Sequence, residues 1–539
     1  MIETIATKPY TDQKMGTAGL RKKTQIAMLP HYLENFLQSI FNTIPNLETK
    51  SFLVGGDGRY YNKTAIQKII KIAAANKVKK LYIAQDGLVS TPAGSCIILK
   101  NKLDGGLILT ASHNPGGENG DFGIKYSTST GGQCQPQESQ AILEQTLKIS
   151  EYKISNSPDL DLSQIGIFRC EETEIEIINP FRDYIEMMQR IFDFAQLRTL
   201  LTSGFRFVFD AMNGVTGPYA KKIFEEILGA PQGTVLNAIP KEDFGGLHPD
   251  PNLIYAKTLV DLMYSDSAPD FAAANDGDGD RNMILGSHFF VCPSDSLAIL
   301  TDNYKIIPAY KNGIYGVAKS AATSMAVKRV ADTLKIGFYE VPTGWKYFVN
   351  LMDSQRISFC GEESFGTGAS HIREKDGIWA VLFWLSVIAN THKTVKQIAL
   401  EHWQKYGRSY FLRNDFEGIE QNIADKLMSE LEARLPQLSG KQYGNFTISN
   451  AHPFIYNDPV DKTSTQNGLI VHFTDGSRIV YRLSGTGTNG ATLRTYIERY
   501  VTQDLDEDPN EMLKELSAVS RAISNVTHLT GKEQPDIIT

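Results

Sequence analysis

The sequence predicts an α/β protein built from a recurring unit and closed by an α+β module of different character. Three observations carry this. Apolar strands alternate with amphipathic helices in three successive rounds before about residue 410. Beyond Tyr410 the apolar residues switch to period-two alternation. The chain of 539 residues is too long for one core and implies roughly three to five domains.

The first round reads as a strand at Phe52 to Asp57 ending in a glycine turn. An amphipathic helix follows near Ala65 to Ala75, with Ile66, Ile69, Ile70 and Ala73 on one face, then a strand from Lys80 to Ala84. Ser127 to Gln137 is polar and reads as a loop. The second round is the strand Phe205 to Asp210 and a helix entered at Pro218, carrying Tyr219, Ile223, Phe224 and Ile227. The third begins at Gly313 to Val317, continues as a helix with Met325, Val327, Val330 and Leu334, and returns in the strand Ile336 to Val341. Similarity between the rounds is too weak to prove duplication.

The closing module has a helix near Glu420 to Leu435 and strands at Gly468 to Phe473, Ser477 to Leu483 and Ala491 to Tyr500. Asp508-Pro509 is a helix start signal, and Met512, Leu516, Val519, Ile523 and Val526 form the stripe behind it.

Composition limits the function classes. Apolar residues make up 42% and charged residues 21%, as in a folded soluble protein. A net charge of −7 argues against a general nucleic-acid binder. Five scattered cysteines without a CxxC pair make a disulfide framework or zinc site an unsuitable reading and fit a reducing cytosol. The N-terminus shows no signal-peptide pattern. The apolar run Ile378 to Ala389 is long enough for a core helix but not for a membrane span.

Five stretches carry chemistry. In Leu107 to Gly117 an apolar run leads into a small-residue turn that presents one hydroxyl, Ser112. Pro115 and the glycines after it shape that turn. In Asp276-Gly277-Asp278-Gly279-Asp280-Arg281, alternate residues of an extended segment would point three carboxylates one way, a donor set suited to Mg²⁺ or Ca²⁺. An EF-hand is excluded, because Arg281 stands where that loop needs Gly and Ser287 where it needs Glu. Gly361 to Gly366 offers Glu362, Glu363 and Ser364 as acceptors for sugar hydroxyls. Arg482 to Arg494 contains GxGxxG, but a strand and no helix follows, so it is not a dinucleotide fold. Nor is it a Walker loop, since Ala491 follows Gly490 where Lys is required. It reads as an arginine-flanked cradle for a phosphate dianion. Gly16 to Lys23 groups a hydroxyl, glycines and cations near the N-terminus. A nucleophilic hydroxyl, a cation site, a phosphate cradle and a polyol loop together meet the needs of phosphoryl transfer.

Taken in order, TASHNPGG (Thr110 to Gly117), DGDGDR (Asp276 to Arg281), GEESFG (Gly361 to Gly366) and RLSGTGT (Arg482 to Thr488) resemble the α-D-phosphohexomutase superfamily over essentially the whole chain. GTAGLR (Gly16 to Arg21), STPAGSCII (Ser90 to Ile98), TGWKYF (Thr343 to Phe348) and HIREKDG (His371 to Gly377) look like its eukaryotic-type phosphoglucomutase branch. The resemblance implies four domains around a central cleft. Three would have a similar mixed-sheet α/β core (residues 1–190, 191–303 and 304–408), and residues 409–539 would form a C-terminal α+β domain.

The implied activity is interconversion of α-D-glucose 1-phosphate and glucose 6-phosphate through a phosphoserine at Ser112 and a glucose 1,6-bisphosphate intermediate. Asp276, Asp278 and Asp280 would hold one Mg²⁺ with Ser112. Thr343, Gly344, Trp345, Glu362 and Ser364 would read the sugar, and Arg482, Ser484, Thr486 and Arg494 would hold the idle phosphate. Thr17, Arg21, Arg281 and Lys375 would also contact substrate, with Lys375 as acid/base assisted by His113 and Arg21. Ala18 departs from the Ser that relatives often carry. The expected partner is a hexose phosphate, with no nucleic acid and no membrane insertion, in a cytoplasmic monomer. Two other readings remain: a mutase preferring mannose or N-acetylhexosamine phosphate, and a catalytically silent relative with a structural or membrane-trafficking role.

Overall fold

The computed structural model describes residues 1–16, 18–484 and 490–539. The chain forms two compact units, one of Met1–Phe290, Tyr304–Gly313 and Phe365–His392, the other of Val291–Asn303, Ile314–Ser364 and Lys393–Thr539.

The first unit holds two mixed sheets. In the larger, the strands Gly105–Leu109, Ser51–Gly56, Lys80–Leu88 and Thr173–Ile178 run parallel in that order. Antiparallel neighbours extend both sides, Asp121–Thr128 with Leu20–Lys23 on one and Gly166–Cys170 on the other. The parallel strands are near-continuous apolar runs because helices cover their faces, among them Asn62–Ala75, which buries Ile66, Ile69 and Ile70 as its periodicity predicts. The polar stretch read as a loop at 127–137 is shorter than expected, since a helix starts at Pro136. The second sheet orders Val235–Leu236, Phe207–Asp210, Phe271–Asn275, Asn282–Gly286 and Phe289–Phe290. The helix after Pro218 widens at Lys221–Ile227 into a π-helical turn. There Leu228 N–H donates to Ile223 O five residues back, at 2.9 Å. The extra residue per turn brings Leu228 into the core and leaves Ile227 half-buried, where a 3.6-residue repeat had assigned Ile227 inward.

In the second unit, Gly337–Val341, Gly316–Ser320 and Phe359–Glu362 run parallel. The C-terminal module is an antiparallel sheet with Phe446–Asn457, Ser464–Phe473, Arg478–Ser484, Ala491–Val501 and Arg408–Ile419 at its centre. One face packs on the helices Gln421–Arg434 and Pro509–Ser524. The other shares a core with the parallel strands, where Phe454, Ile470, Val480 and Tyr496 meet Trp345, Phe348 and Val349. In the helix Pro509–Ser524 Leu513 enters the core and Met512 only flanks it, and Val526 opens the next helix, Val526–Thr530.

The helix Val395–Tyr406 opens with a capping box, Thr394 with Gln397, and buries His402. Burial pushes the His402 imidazole down to about 4, overriding the Asp302 carboxylate 4.0 Å from Nδ1. An unfolded histidine titrates near 6.5, so the unfolded chain binds the extra proton first and stability drains as pH falls from about 6.5 to 4. His402→Gln is expected to remove a slope of up to about 1.4 kcal/mol per pH unit in that window. Urea unfolding of both proteins across pH 4 to 7 reads it; parallel stability curves would refute the assignment.

Candidate functional site

The strand Gly105–Leu109 delivers Ser112 into a turn where its φ is 55°, the left-handed region. The turn is held from beneath by a buried arginine. Arg59 pairs through Nε with Asp57 Oδ2 at 2.9 Å, both side chains fully buried. Its Nη2 donates to Ser112 O at 2.8 Å and its Nη1 to Asp121 O at 2.8 Å and Asn114 O at 3.4 Å. Asp57 also accepts from Thr110 Oγ1, which itself accepts from Ser112 N–H at 2.7 Å. Gly123 permits the close approach of the neighbouring strands, because a Cβ there would lie 2.3 Å from Thr110 O. The serine hydroxyl is thus fixed by its backbone and left with one short side-chain contact, donation to Asp276 Oδ2 at 2.9 Å.

Asp276, Asp278 and Asp280 each offer an oxygen within 4.8 Å of the others, and all three are buried. They converge through a turn and not through the extended alternation the spacing suggested. Gly279 has a φ of 80°, and a Cβ on it would strike Thr216 Cγ2 at 2.3 Å. Lys125 lies beneath the turn, 1% exposed, with Nζ 2.7 Å from Asp278 Oδ2 and 3.1 Å from Asp280 Oδ2. Thr91, in the helix Thr91–Asn101 that Ser90 caps, donates to Asp278 Oδ2 at 2.7 Å. Burial opposes ionisation of Asp278, but Lys125 and Thr91 prevail and hold it well below the carboxylate range. Asp276 accepts from the Ser112 hydroxyl and the Arg281 N–H but touches no ammonium, and burial with the charges of Asp278 and Asp280 raises it well above that range. Asp278 Oδ1 is buried without a hydrogen-bond partner among the described residues. An orphaned carboxylate oxygen inside a dry carboxylate triad is what a divalent cation satisfies.

Cations and imidazoles flank this centre. Lys375 Nζ lies 3.0 Å from Asp280 Oδ1, and Arg281 Nη1 lies 3.1 Å from Asp250 Oδ1. Arg21 stands on the strand Leu20–Lys23, with its buried Nε unpartnered among the described residues. His113 stacks on His248, and burial with the charges of Arg281 and Arg21 holds it well below its ordinary pKa, so it is a neutral imidazole. Glu374, beside Lys375, is pushed up to about 7 by burial. In the same segment Asp376 accepts from Tyr184 and His371 and caps the helix Gly377–Thr391. Thr17 lies outside the described residues.

In the second unit, Gly344 has a φ of 130° and donates its N–H to Glu362 Oε1 at 3.2 Å. Thr343 Oγ1 and Trp345 Nε1 are buried without hydrogen-bond partners among the described residues. Ser364 is half-buried at the end of this loop. Glu363 points away from it, to Ser320 and Thr323. Arg482 and Arg494 face each other across adjacent strands, as do Ser484 and Thr492. Two like charges directly opposite repel, and an anion relieves that repulsion. Arg413 joins them from the next strand and shares Asp415 with Arg494, at 2.9 and 3.6 Å. Thr486 lies outside the described residues. Sequence reasoning missed Arg59, Thr91, Lys125, His248 and Arg413.

Comparison with known proteins identifies the family. Residues 12–153, 182–288 and 293–406 match the family models of phosphoglucomutase/phosphomannomutase alpha/beta/alpha domains I, II and III. Residues 408–536 match that of the phosphoglucomutase-1 C-terminal domain. The chain is 49% identical over 542 residues to a phosphoglucomutase of Rhizobium radiobacter, covering 100% of both. It is 49% identical over 560 residues to phosphoglucomutase-1 of Homo sapiens, again covering 100% of both. The crystal structure of pp63/parafusin, a phosphoglucomutase from Paramecium, superposes with a TM-score of 0.93 at 45% identity, covering 100% of this chain and 99% of that one. No helix among the described residues is long and apolar enough to cross a membrane. The chain belongs to the phosphoglucomutase/phosphomannomutase family, with three α/β domains followed by a C-terminal domain of its own type.

Proposed function

We propose that the protein is a phosphoglucomutase, interconverting α-D-glucose 1-phosphate and α-D-glucose 6-phosphate. The observation that carries this is the Ser112 hydroxyl, buried and 2.9 Å from one carboxylate of a three-aspartate centre. Identity of about half over full length to named phosphoglucomutases supports it.

In this reading Ser112 Oγ carries a phosphoryl group between turnovers. A sugar hydroxyl attacks phosphorus, the P–O bond to Ser112 breaks as the new P–O bond forms, and glucose 1,6-bisphosphate results. The intermediate then returns its other phosphate to Ser112. Asp276, Asp278 and Asp280 would hold Mg²⁺, a hard cation suited to a site of few carboxylates, and the ion would supply neutralisation of developing charge. The attacking hydroxyl must lose a proton and the departing Ser112 Oγ must gain one. Lys375, entering the step as the neutral amine, takes the first and, as the ammonium, returns it to Ser112 Oγ, while Arg21, Arg281 and neutral His113 steady the phosphate oxygens. Thr343, Gly344, Trp345, Glu362 and Ser364 read the sugar hydroxyls. Arg482, Ser484, Thr486 and Arg494 hold the phosphate that is not reacting. The domains of this reading follow the matched segments 12–153, 182–288, 293–406 and 408–536, which moves the expected limit at 303 to near 290.

A coupled assay for glucose 6-phosphate, run with glucose 1-phosphate, Mg²⁺ and a trace of the bisphosphate, tests the proposal. Turnover is expected; none from the wild-type protein would overturn it. Mannose 1-phosphate in parallel is expected to turn over more slowly.

A further inference from the structure

The sheet face that carries Arg482 and Arg494 holds a second charged pair four residues along, Arg478 opposite Glu498. Alternate strand residues share a face, so the two pairs line one surface, with Val480 and Tyr496 between them. Arg478 and Glu498 are almost fully buried, at 2% and 1% exposure. The Arg478 guanidinium makes three contacts. Nε lies 3.1 Å from Glu498 Oε2, Nη1 lies 2.8 Å from Glu340 Oε1, and Nη2 donates to Thr323 O.

Thr323 continues the chain toward the sugar loop. Its Oγ1 accepts from Glu363 N–H at 3.0 Å and donates to Glu363 Oε2 at 3.3 Å. Ser320 Oγ donates to the same oxygen at 3.1 Å. Glu363 adjoins Glu362, so the sugar loop is pinned to the 320–323 turn, and Arg478 grips the other side of that turn. A buried ionic set is a poor source of net stability compared with apolar packing, but its hydrogen bonds have direction and fix geometry. The distance between the sugar hydroxyls and the phosphate of a hexose phosphate is set by a stiff ring. Misplacement of recognition groups by about 1 Å is enough to cost on the order of a hundredfold.

We infer that Thr323 and Arg478 are positioning residues that hold the sugar loop in register with the Arg482–Arg494 phosphate cradle, without touching substrate themselves. The inference rests on the proposed function of this unit.

Thr323→Val removes both hydroxyl bonds to Glu363 and leaves every ion pair intact. It is expected to raise the KM for glucose 1-phosphate about tenfold with kcat within twofold, while Thr323→Ser restores wild-type KM. In Arg478→Met the same KM effect is expected, and the double variant Thr323→Val/Arg478→Met is expected to be no worse than Arg478→Met alone, because both cuts fall on one path. Should Arg478→Met fail to fold, the two Thr323 variants decide. An unchanged KM in Thr323→Val, a change confined to kcat, or effects that multiply in the double variant would overturn the inference. Wild-type protein without turnover would remove the functional reading, and this inference with it; wild-type turnover beside an unaffected Thr323→Val removes the inference alone.

Discussion

A Ser112→Ala protein is expected to keep its fold and lose turnover by at least about 10⁴-fold. The two halves of that outcome have separate causes. The turn does not depend on the hydroxyl, because Arg59 grips the Ser112 carbonyl and Thr110 receives the Ser112 N–H. Its substitution removes one hydrogen bond to Asp276 and a single atom's volume. The chemistry does depend on it, since no other hydroxyl in the described loop contacts the aspartate centre. The coupled assay measures the loss and thermal unfolding measures the fold. Turnover within tenfold of wild type would sink the carrier assignment, and a collapse of the unfolding midpoint would sink the account of the turn.

Lys125→Met is expected to cost about 3–5 kcal/mol in a chelator, with part of the loss regained in Mg²⁺. Methionine fills much of the volume but leaves Asp278 and Asp280 buried without the ammonium that now touches both. Lys375 pairs with Asp280 Oδ1 and does not replace that contact at Asp278. A divalent cation binds the folded triad and not the unfolded chain, so mass action returns stability as its concentration rises. Urea unfolding of wild type and variant, each in EDTA and in Mg²⁺, gives the comparison. A loss below about 1 kcal/mol in EDTA would show that Lys125 does not neutralise the triad, and a loss indifferent to Mg²⁺ would show that the triad does not take the ion.

What was legible in the sequence was local. Carboxylates spaced by glycines mark the three-aspartate centre within a few residues, whereas the reading of Ser112 draws on the distant acidic, sugar-type and arginine-flanked loops and not on its own turn alone. The roles of Lys125 and Thr91 could not be read. They lie 153 and 187 residues from Asp278; nothing around Lys125 marks it, and the motif that holds Thr91 does not say that its hydroxyl reaches the aspartates. The same limit hid Arg413, which sits opposite Tyr496 only because two distant strands pair. Among the elements, Gly468 to Phe473 was found by its alternation. Arg408–Ile419 was not, being buried on both faces along much of its length. Phe446–Asn457 escaped because irregularities in register near Ile448 and Pro453 break the period of two. Glu363 shows the opposite error, where composition was right and direction was not: a carboxylate in a sugar-type motif faces the interior.

The left-handed backbone at Ser112 bears on which residue types suit the carrier role proposed for it. Threonine offers the same nucleophilic oxygen and accepts the same phosphoryl group. Its second Cβ substituent, however, crowds the backbone at positive φ, where branched side chains are genuine outliers. Substitution by the nearest chemical equivalent is therefore blocked by conformation before reactivity is ever tested. At this position stereochemistry favours serine over threonine before reactivity is considered.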